Sequence, residues 1–166
     1  MLSDPAYRSE VLFAAEKPDL VGFSLNWHPQ IYETLETAGA LKKQFPSVPV
    51  FMGGFTASVF AEELLRDFPD CVDIVIRGDS EAPAVMLAHA LRDKLGLDGI
   101  PNLIYRRNGV VVINEKLWTP GPRDFSSYDF ANFSLLKNAE HFCSPYLLPP
   151  GSTLASIASH RIFYLA

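Results

Sequence analysis

Three short stretches carry residue types suited to holding a phosphate or amide oxygen. They are Ser24-Leu25-Asn26-Trp27-His28, Gly53-Gly54-Phe55-Thr56 and Arg77-Gly78-Asp79-Ser80-Glu81. Each follows an apolar run and leads into helical spacing, so each is expected to end on a helix N-terminus with free N–H groups. The glycine pair would let a ligand lie against bare backbone, since any Cβ there would occupy the space. The binding positions expected on this reading are Ser24, Leu25, Asn26, Gly53, Gly54, Phe55, Thr56, Gly78, Asp79, Ser80 and Glu81. The chemistry is recognition rather than reaction. There is no G-x-S-x-G elbow, no Cys/His nucleophile pair and no H-E-x-x-H, and no acid/base partner stands beside the loop carboxylates. No catalytic residue and no metal ligand is expected.

Plain structural roles compete for the same residues. Ser24 could be a helix-entry hydroxyl, Trp27 a core anchor and His28 a loop histidine beside Pro29. Arg77 and Glu81 could pair, or Glu81 could serve a helix dipole. Asp79-Ser80 reads equally as ordinary capping, and His89 as structural; His141 and His160 have no visible partner.

The elements that must position these loops follow from periodicity. "DLVGFSLN" (19–26) is a nearly continuous apolar run, as expected of a strand covered on both faces. Pro29 then fits a first helical position, with Ile31, Leu35, Ala38 and Phe45 on one face. "VPVFM" precedes the glycine pair, Thr56 is the expected N-cap of the next helix, and Phe60, Leu64 and Phe68 form its stripe. Ile74, Val75 and Ile76 form a third strand. Ser80 caps the following helix, whose inner face is Ala84, Leu87, Leu91 and Leu95, with Gly96 as its stop. Such alternation predicts a parallel sheet with right-handed crossovers, placing ligands beyond the carboxyl ends of the strands. "NLIYRRNGVVVINE" (102–115) then reads as a β-hairpin around Asn108-Gly109. From residue 116 the chain is rich in Pro, Gly, Ser and Asp, and its last stretch is too short for a second core.

With 48% hydrophobic and 20% charged residues, the 166-residue chain can bury a real core. A net charge of −5, with basic residues only in short pairs such as Lys42-Lys43 and Arg106-Arg107, gives no nucleic-acid stripe. Cys71 and Cys143 form no metal-binding or disulfide pattern. No signal peptide or bilayer-length apolar run is visible, so a soluble cytoplasmic protein with no membrane partner is expected.

Taken together, "PDLVGFSLN", "VPVFMGGFTAS", "VDIVIRGDSEAP" and "IPNLIYRRNGVVVINE" resemble, in order, the cobalamin-binding domain of cobalamin-dependent radical S-adenosylmethionine enzymes. The resemblance implies that Ser24, Gly53 and Gly54 line the slot for the nucleotide tail of cobalamin. It implies an incomplete, three-layer Rossmann/flavodoxin-like α/β domain over residues 1–115 with a hairpin at its end. Residues 116–166 would be an irregular linker and the truncated start of a radical barrel. In the family a C-x-x-x-C-x-x-C motif follows the first barrel strand and holds an iron–sulfur cluster. With only two cysteines here, no such cluster is expected. The family fingerprint D-x-H-x-x-G would lie upstream of Met1, and "SDPAYRSEVLFAAEKP" looks like the helix before the family's third strand. In the family strand order 2-1-3-4-5, residues 19–26 would then lie at a sheet edge, for which a homodimer is the simplest cover. The parent activity implied is methyl transfer or ring formation, with this chain inactive alone. The rival readings are a module for another phosphate-bearing molecule, such as a nucleotide, and a ligand-free interaction protein.

Overall fold

The computed structural model describes residues 17–128. The helix expected before residue 17 and the barrel-like tail, with Cys143, His141 and His160, lie outside the described residues. The chain divides into two units at Thr119 and Pro120.

In the first unit the apolar runs become strands and the periodic segments helices. β1 (Val21–Ser24) leads through a 3-10 turn at His28–Gln30 into α1 (Ile31–Gln44). Pro29 sits inside that turn, where its fixed φ and missing N–H cost nothing. β2 (Val50–Gly53) is followed by α2 (Phe55–Val59) and α3 (Ala61–Asp67), and β3 (Ile74–Ile76) by α4 (Glu81–Arg92). β4 (Leu103–Arg107) and β5 (Val110–Ile113) form the expected hairpin. Asn108 and Gly109 both have positive φ, +50° and +79°, as the right-handed twist of a two-residue hairpin demands. In the second unit the described element is the short helix α5 (Pro122–Ser127).

The sheet order is β1-β2-β3-β4-β5, parallel from β1 to β3 and antiparallel from β3 onward. The hairpin is therefore not an appendage. It extends the sheet, so the architecture is mixed rather than wholly parallel. β1 pairs only with β2 among the described residues, which puts it at the edge as expected.

Two apolar cores lie on opposite faces, giving three layers. Val50, Met52 and Val75 pack against Leu35, Ala38 and Leu41 of α1 and Ala61, Leu64 and Leu65 of α3. Ile74, Ile76, Leu103 and Tyr105 pack against Leu87 and Ala90 of α4. Val21 and Phe23 join the first core. Their strand neighbours Gly22 and Ser24 point the other way and are exposed.

Several local expectations fail, each for a visible reason. The helix expected to run unbroken from Thr56 breaks at Phe60 (φ −105°, ψ 27°). The break re-phases it, so Ala61, Leu64 and Leu65 face the sheet while Phe60 and Phe68 are 38% and 40% exposed. Thr56 is not an N-cap; that place is Gly54's, and Thr56 lies buried within the helix. Gly96 does not stop α4. Lys94 does, at φ +55°, with Leu95 N–H donating to Ala90 O and Lys94 N–H to Leu91 O in a Schellman arrangement. Leu95 thus lies past the helix and is 64% exposed rather than on the inner face.

Candidate functional site: the carboxyl edge of the parallel strands

Because β1, β2 and β3 are adjacent and parallel, their three loops meet at one edge. Register decides what faces a ligand there. Ser24 pairs with Gly53 and Gly22 with Phe51, so these four share the face toward α4. Gly53 is roomy. A Cβ built on it would stand 3.9 Å from Ile76 O and 4.0 Å from Ser80 Cβ, with nothing closer. The Phe51 ring lies over Gly22, where an added Cβ would come within 2.3 Å. Gly22, Ser24 and Gly53 therefore make a low strip of sheet beside the start of α4, closed at its inner end by Phe51.

The second glycine works differently. At Gly54, φ is +102°, and a Cβ would meet Asn26 Oδ1 at 2.5 Å and Leu25 O at 2.9 Å. The close approach it permits is to the chain's own first loop. The side chain of Asn26 accepts from Phe55 N–H (3.1 Å) and donates to Ser24 Oγ (2.9 Å). Thr56 Oγ1 donates to Asn26 O (2.9 Å), and Ala57 N–H to Leu25 O (3.1 Å). The start of α2 is thus not a free set of donors, contrary to expectation. Two of its first N–H groups are spent on the β1 loop, Asn26 acting as a cap supplied from another segment.

Ser58 then ties in the third loop. Its hydroxyl donates to Gly54 O (2.8 Å) and accepts from Gly78 N–H (2.9 Å). Asn102, buried and at φ +63°, donates to Asp79 O (3.0 Å) and Trp118 O (2.8 Å) and accepts from Trp118 N–H (2.8 Å). Sequence reasoning missed both residues. For Ser58 no signal existed, since a serine at that position has no distinctive spacing. For Asn102 the signal was an asparagine directly before an apolar run, a residue type that tolerates left-handed backbone.

Of the expected positions, Ser24, Asn26, Gly53, Gly54, Thr56 and Ser80 converge on this edge. Leu25 is fully buried in the first core and takes part through its backbone. Gly78 (φ +65°) has open space where its Cβ would be, Asp79 is exposed, and Glu81 lies in the first turn of α4. Ser80 occupies the N-cap position without a side-chain capping bond. α4 is three turns long and leaves its first N–H groups without intrahelical partners, although Glu81 already brings negative charge to that end. Arg77 does not pair with Glu81. Its Nη2 reaches Asn114 O at 3.4 Å, and its buried Nε has no partner among the described residues.

Aromatic residues border the edge. Trp27 is 70% and Phe55 74% exposed, so Trp27 is no core anchor. His28 packs against Phe60 with ring centroids 5.9 Å apart. His89 is exposed on α4 rather than structural. Among the described residues no three His, Cys, Asp or Glu side chains are grouped to hold a metal, and no helix is long and apolar enough to cross a membrane.

A doubly wound α/β domain whose loops are stitched by uncharged hydrogen bonds beyond its parallel strands has the architecture that places ligands at that edge. Residues 10–88 match the family model of the B12 binding domain. The hopanoid C-3 methylase of Methylococcus capsulatus is 34% identical over 88 residues, 53% of this chain and 17% of that protein. An uncharacterized methyltransferase of Pyrococcus horikoshii is 34% identical over 94 residues, 57% of this chain and 20% of that protein. Two structures of the radical S-adenosylmethionine methyltransferase TsrM from Kitasatospora setae share the fold. One, with tryptophan substrate and an S-adenosylmethionine analogue bound, gives a TM-score of 0.60 at 22% identity. The other, with cobalamin and an iron–sulfur cluster bound, gives 0.62 at 21%. Each alignment covers 74% of this chain and 23% of TsrM. Residues 10–88 of the chain thus carry a B12 binding domain match, and the chain spans about a fifth of the length of the curated relatives it matches.

Proposed function

We propose that this chain holds cobalamin by its nucleotide tail, as the cofactor-bearing part of a radical S-adenosylmethionine methyltransferase. The observation that carries the reading is the strip of Gly22, Ser24 and Gly53 beside the start of α4, within the B12-binding match. From Ser24 to Gly53 nothing on the strip is taller than a serine hydroxyl, so a flat tail can lie there, short of the Phe51 ring over Gly22. Ser24 supplies a polar contact, and the first turn of α4 supplies N–H groups. Trp27 and Phe55 offer apolar surface to a large planar ligand at the mouth. When bound, cobalamin would supply a cobalt centre able to carry a methyl group. This chain's own share is to bind and orient it, since no acid/base or nucleophilic set stands at the edge.

Titration of the full chain with hydroxocobalamin, followed by visible absorbance, tests the reading. Cobinamide, which lacks the nucleotide tail, should bind at least about tenfold more weakly, the equivalent of one or two lost polar contacts. Equal affinity for the two would overturn the tail-slot geometry. Competition by a nucleoside triphosphate would favour the rival ligand.

A further inference from the structure

Asn102 lies buried just before β4, and three segments of the chain meet on it. Its side-chain oxygen accepts from Trp118 N–H at 2.8 Å, and its nitrogen donates to Trp118 O at 2.8 Å and to Asp79 O at 3.0 Å. The amide thus pairs with the backbone of Trp118 as a neighbouring strand would, and gives its other proton to the ligand loop. Its own backbone joins the same segments. Arg77 N–H donates to Asn102 O and Asn102 N–H to Lys116 O, each at 2.9 Å. The Asp79 bond also sets the direction of the next N–H. In a trans peptide the carbonyl and the following N–H point opposite ways, and no peptide among the described residues is cis. Asn102 precedes β4 and Gly53 ends β2, so the two lie on opposite sides of β3. With Asp79 O turned to Asn102, Ser80 N–H is turned to the Gly53 side, where it has no acceptor among the described residues.

We propose that Asn102 is a positioning residue that latches the ligand loop, residues 78–80, to residues 116–118, so that ligand binding and the seating of that later segment are one coupled equilibrium. The proposal rests on the reading of this edge as the ligand site. The group that senses the ligand is Ser80 N–H, a donor for an acceptor such as a phosphoryl oxygen. Both amide protons of Asn102 are committed, one to each segment. When Trp118 leaves, Asp79 O alone does not fix the side chain, and the Asp79–Ser80 peptide is free to turn. Coupling of this kind is reciprocal, so a ligand that holds Ser80 N–H also holds residues 116–118 in place.

Asn102→Gly deletes the amide and keeps the left-handed backbone (φ +63°), which glycine adopts freely. Hydroxocobalamin titration of the full chain should show about tenfold weaker binding in this variant. Trp118→Pro removes the N–H that anchors Asn102. It should bind several-fold more weakly than Trp118→Ala, which loses the indole but keeps both backbone bonds. In the Asn102→Gly background the difference between Pro and Ala at position 118 should vanish, because the latch is already open. A difference that persists there, or none in the wild-type background, would overturn the proposal. Amide exchange by NMR reads the reverse direction. The backbone N–H of residue 102, which donates to Lys116 O, is present in wild type and in Asn102→Gly. Saturating hydroxocobalamin should slow it in wild type and leave it unchanged in Asn102→Gly. Equal slowing in both would be general stabilisation by a ligand and would also overturn the proposal. A ligand-free measurement separates the latch from the cofactor reading. Asn102→Gly should speed exchange of both Gly78 N–H and Trp118 N–H while sparing the β2–β3 ladder. If it does and hydroxocobalamin fails to bind wild type, the cofactor reading falls while the latch between the two segments stands. If Gly78 N–H is unaffected, the latch fails.

Discussion

The two ends of the same three parallel strands are held together by different chemistry. At the carboxyl end Asn26, Thr56 and Ser58 join the loops through uncharged hydrogen bonds, and the Ser24 hydroxyl keeps a donor in reserve. At the amino end the work is done by charges. Lys42 Nζ lies 2.9 Å from Asp73 Oδ2, which also accepts from Val50 N–H at 2.7 Å. Arg106 donates to Leu65 O, Pro69 O and Val72 O at 2.6, 3.1 and 2.7 Å. A cleft of about 340 Å³ opens at this end, lined by Lys42, Ser47, Asp73, Leu97, Tyr105 and Arg106. Yet its charges are already engaged by the protein itself. A charged group fixes structure strongly because its partners are expensive to abandon. Neutral groups can fix a loop and still leave lone pairs or protons for a guest.

The largest expected effect separates the two glycines at the carboxyl end. Gly54→Val should abolish hydroxocobalamin binding and cost about 3 kcal/mol of stability, since it combines a β-branched side chain with positive φ and a collision with Asn26. Gly53→Ala should leave stability within about 0.5 kcal/mol, because its Cβ meets only ordinary contacts. It should nevertheless weaken binding several-fold by raising the floor of the strip. Chemical denaturation and visible-absorbance titration of both variants read this. Equal stability losses would erase the distinction.

That contrast also shows what the sequence made legible. A Gly-Gly pair after a buried strand announced a close approach, and alternation of apolar runs and helical spacing announced the α/β layers. Which surface approaches Gly54 was not legible, because it depends on Asn26, a residue 28 positions earlier brought near by β1–β2 register. The same non-local register explains Ser58 and Asn102. Stripe arithmetic failed at Phe60 and Phe68 because it assumes an unbroken helix, and no glycine or proline marks the break. Lys94 shows the converse. Gly96 satisfied the sequence preference for left-handed backbone, but the Schellman hydrogen bonds of Lys94 and Leu95 closed the helix two residues sooner.

Next in size is the amino end. Arg106→Met keeps much of the stem but strands three carbonyls, which should cost about 2–3 kcal/mol. Hydroxocobalamin affinity should not change, because nothing at the carboxyl edge touches Arg106. A parallel loss of affinity would show that the two ends are not independent.

A smaller effect is expected at the β1 edge. Its outward backbone groups have no strand partner among the described residues, and no proline or lysine guards them. A second copy of the chain is the simplest closed partner. Light scattering over a dilution series should show a mass between one and two chains that falls on dilution. A single-chain mass at every concentration would reject the dimer, and protection of the outward Gly22 N–H in that state would point to cover from within the chain.

The smallest effect lies in the cluster of Asp98, Tyr105 and Arg107, beside the amino-end cleft. Asp98 Oδ1 accepts from Tyr105 Oη at 2.9 Å and from Arg107 at 2.5 Å, and Arg107 also donates to the tyrosine oxygen. The Arg107 hydrogen bond, then that of Tyr105, holds the Asp98 carboxyl below the usual carboxylate range. A carboxyl lowered in the folded state contributes stability above its unfolded value, and that contribution disappears as pH falls through the folded value. Tyr105 is shifted the other way: burial first, and then its bond to Asp98, raises the phenol. Its contribution is present below the ordinary phenol range and disappears as pH rises through the raised value. Both effects should be slight, since Asp98 and Arg107 are largely solvated and exposed ion pairs are screened. Asp98→Asn should therefore flatten the acid limb of the denaturation midpoint against pH while leaving the burial part of the tyrosine shift on the alkaline limb. An acid limb unchanged in Asp98→Asn would show that the hairpin cluster is geometry without energetic weight.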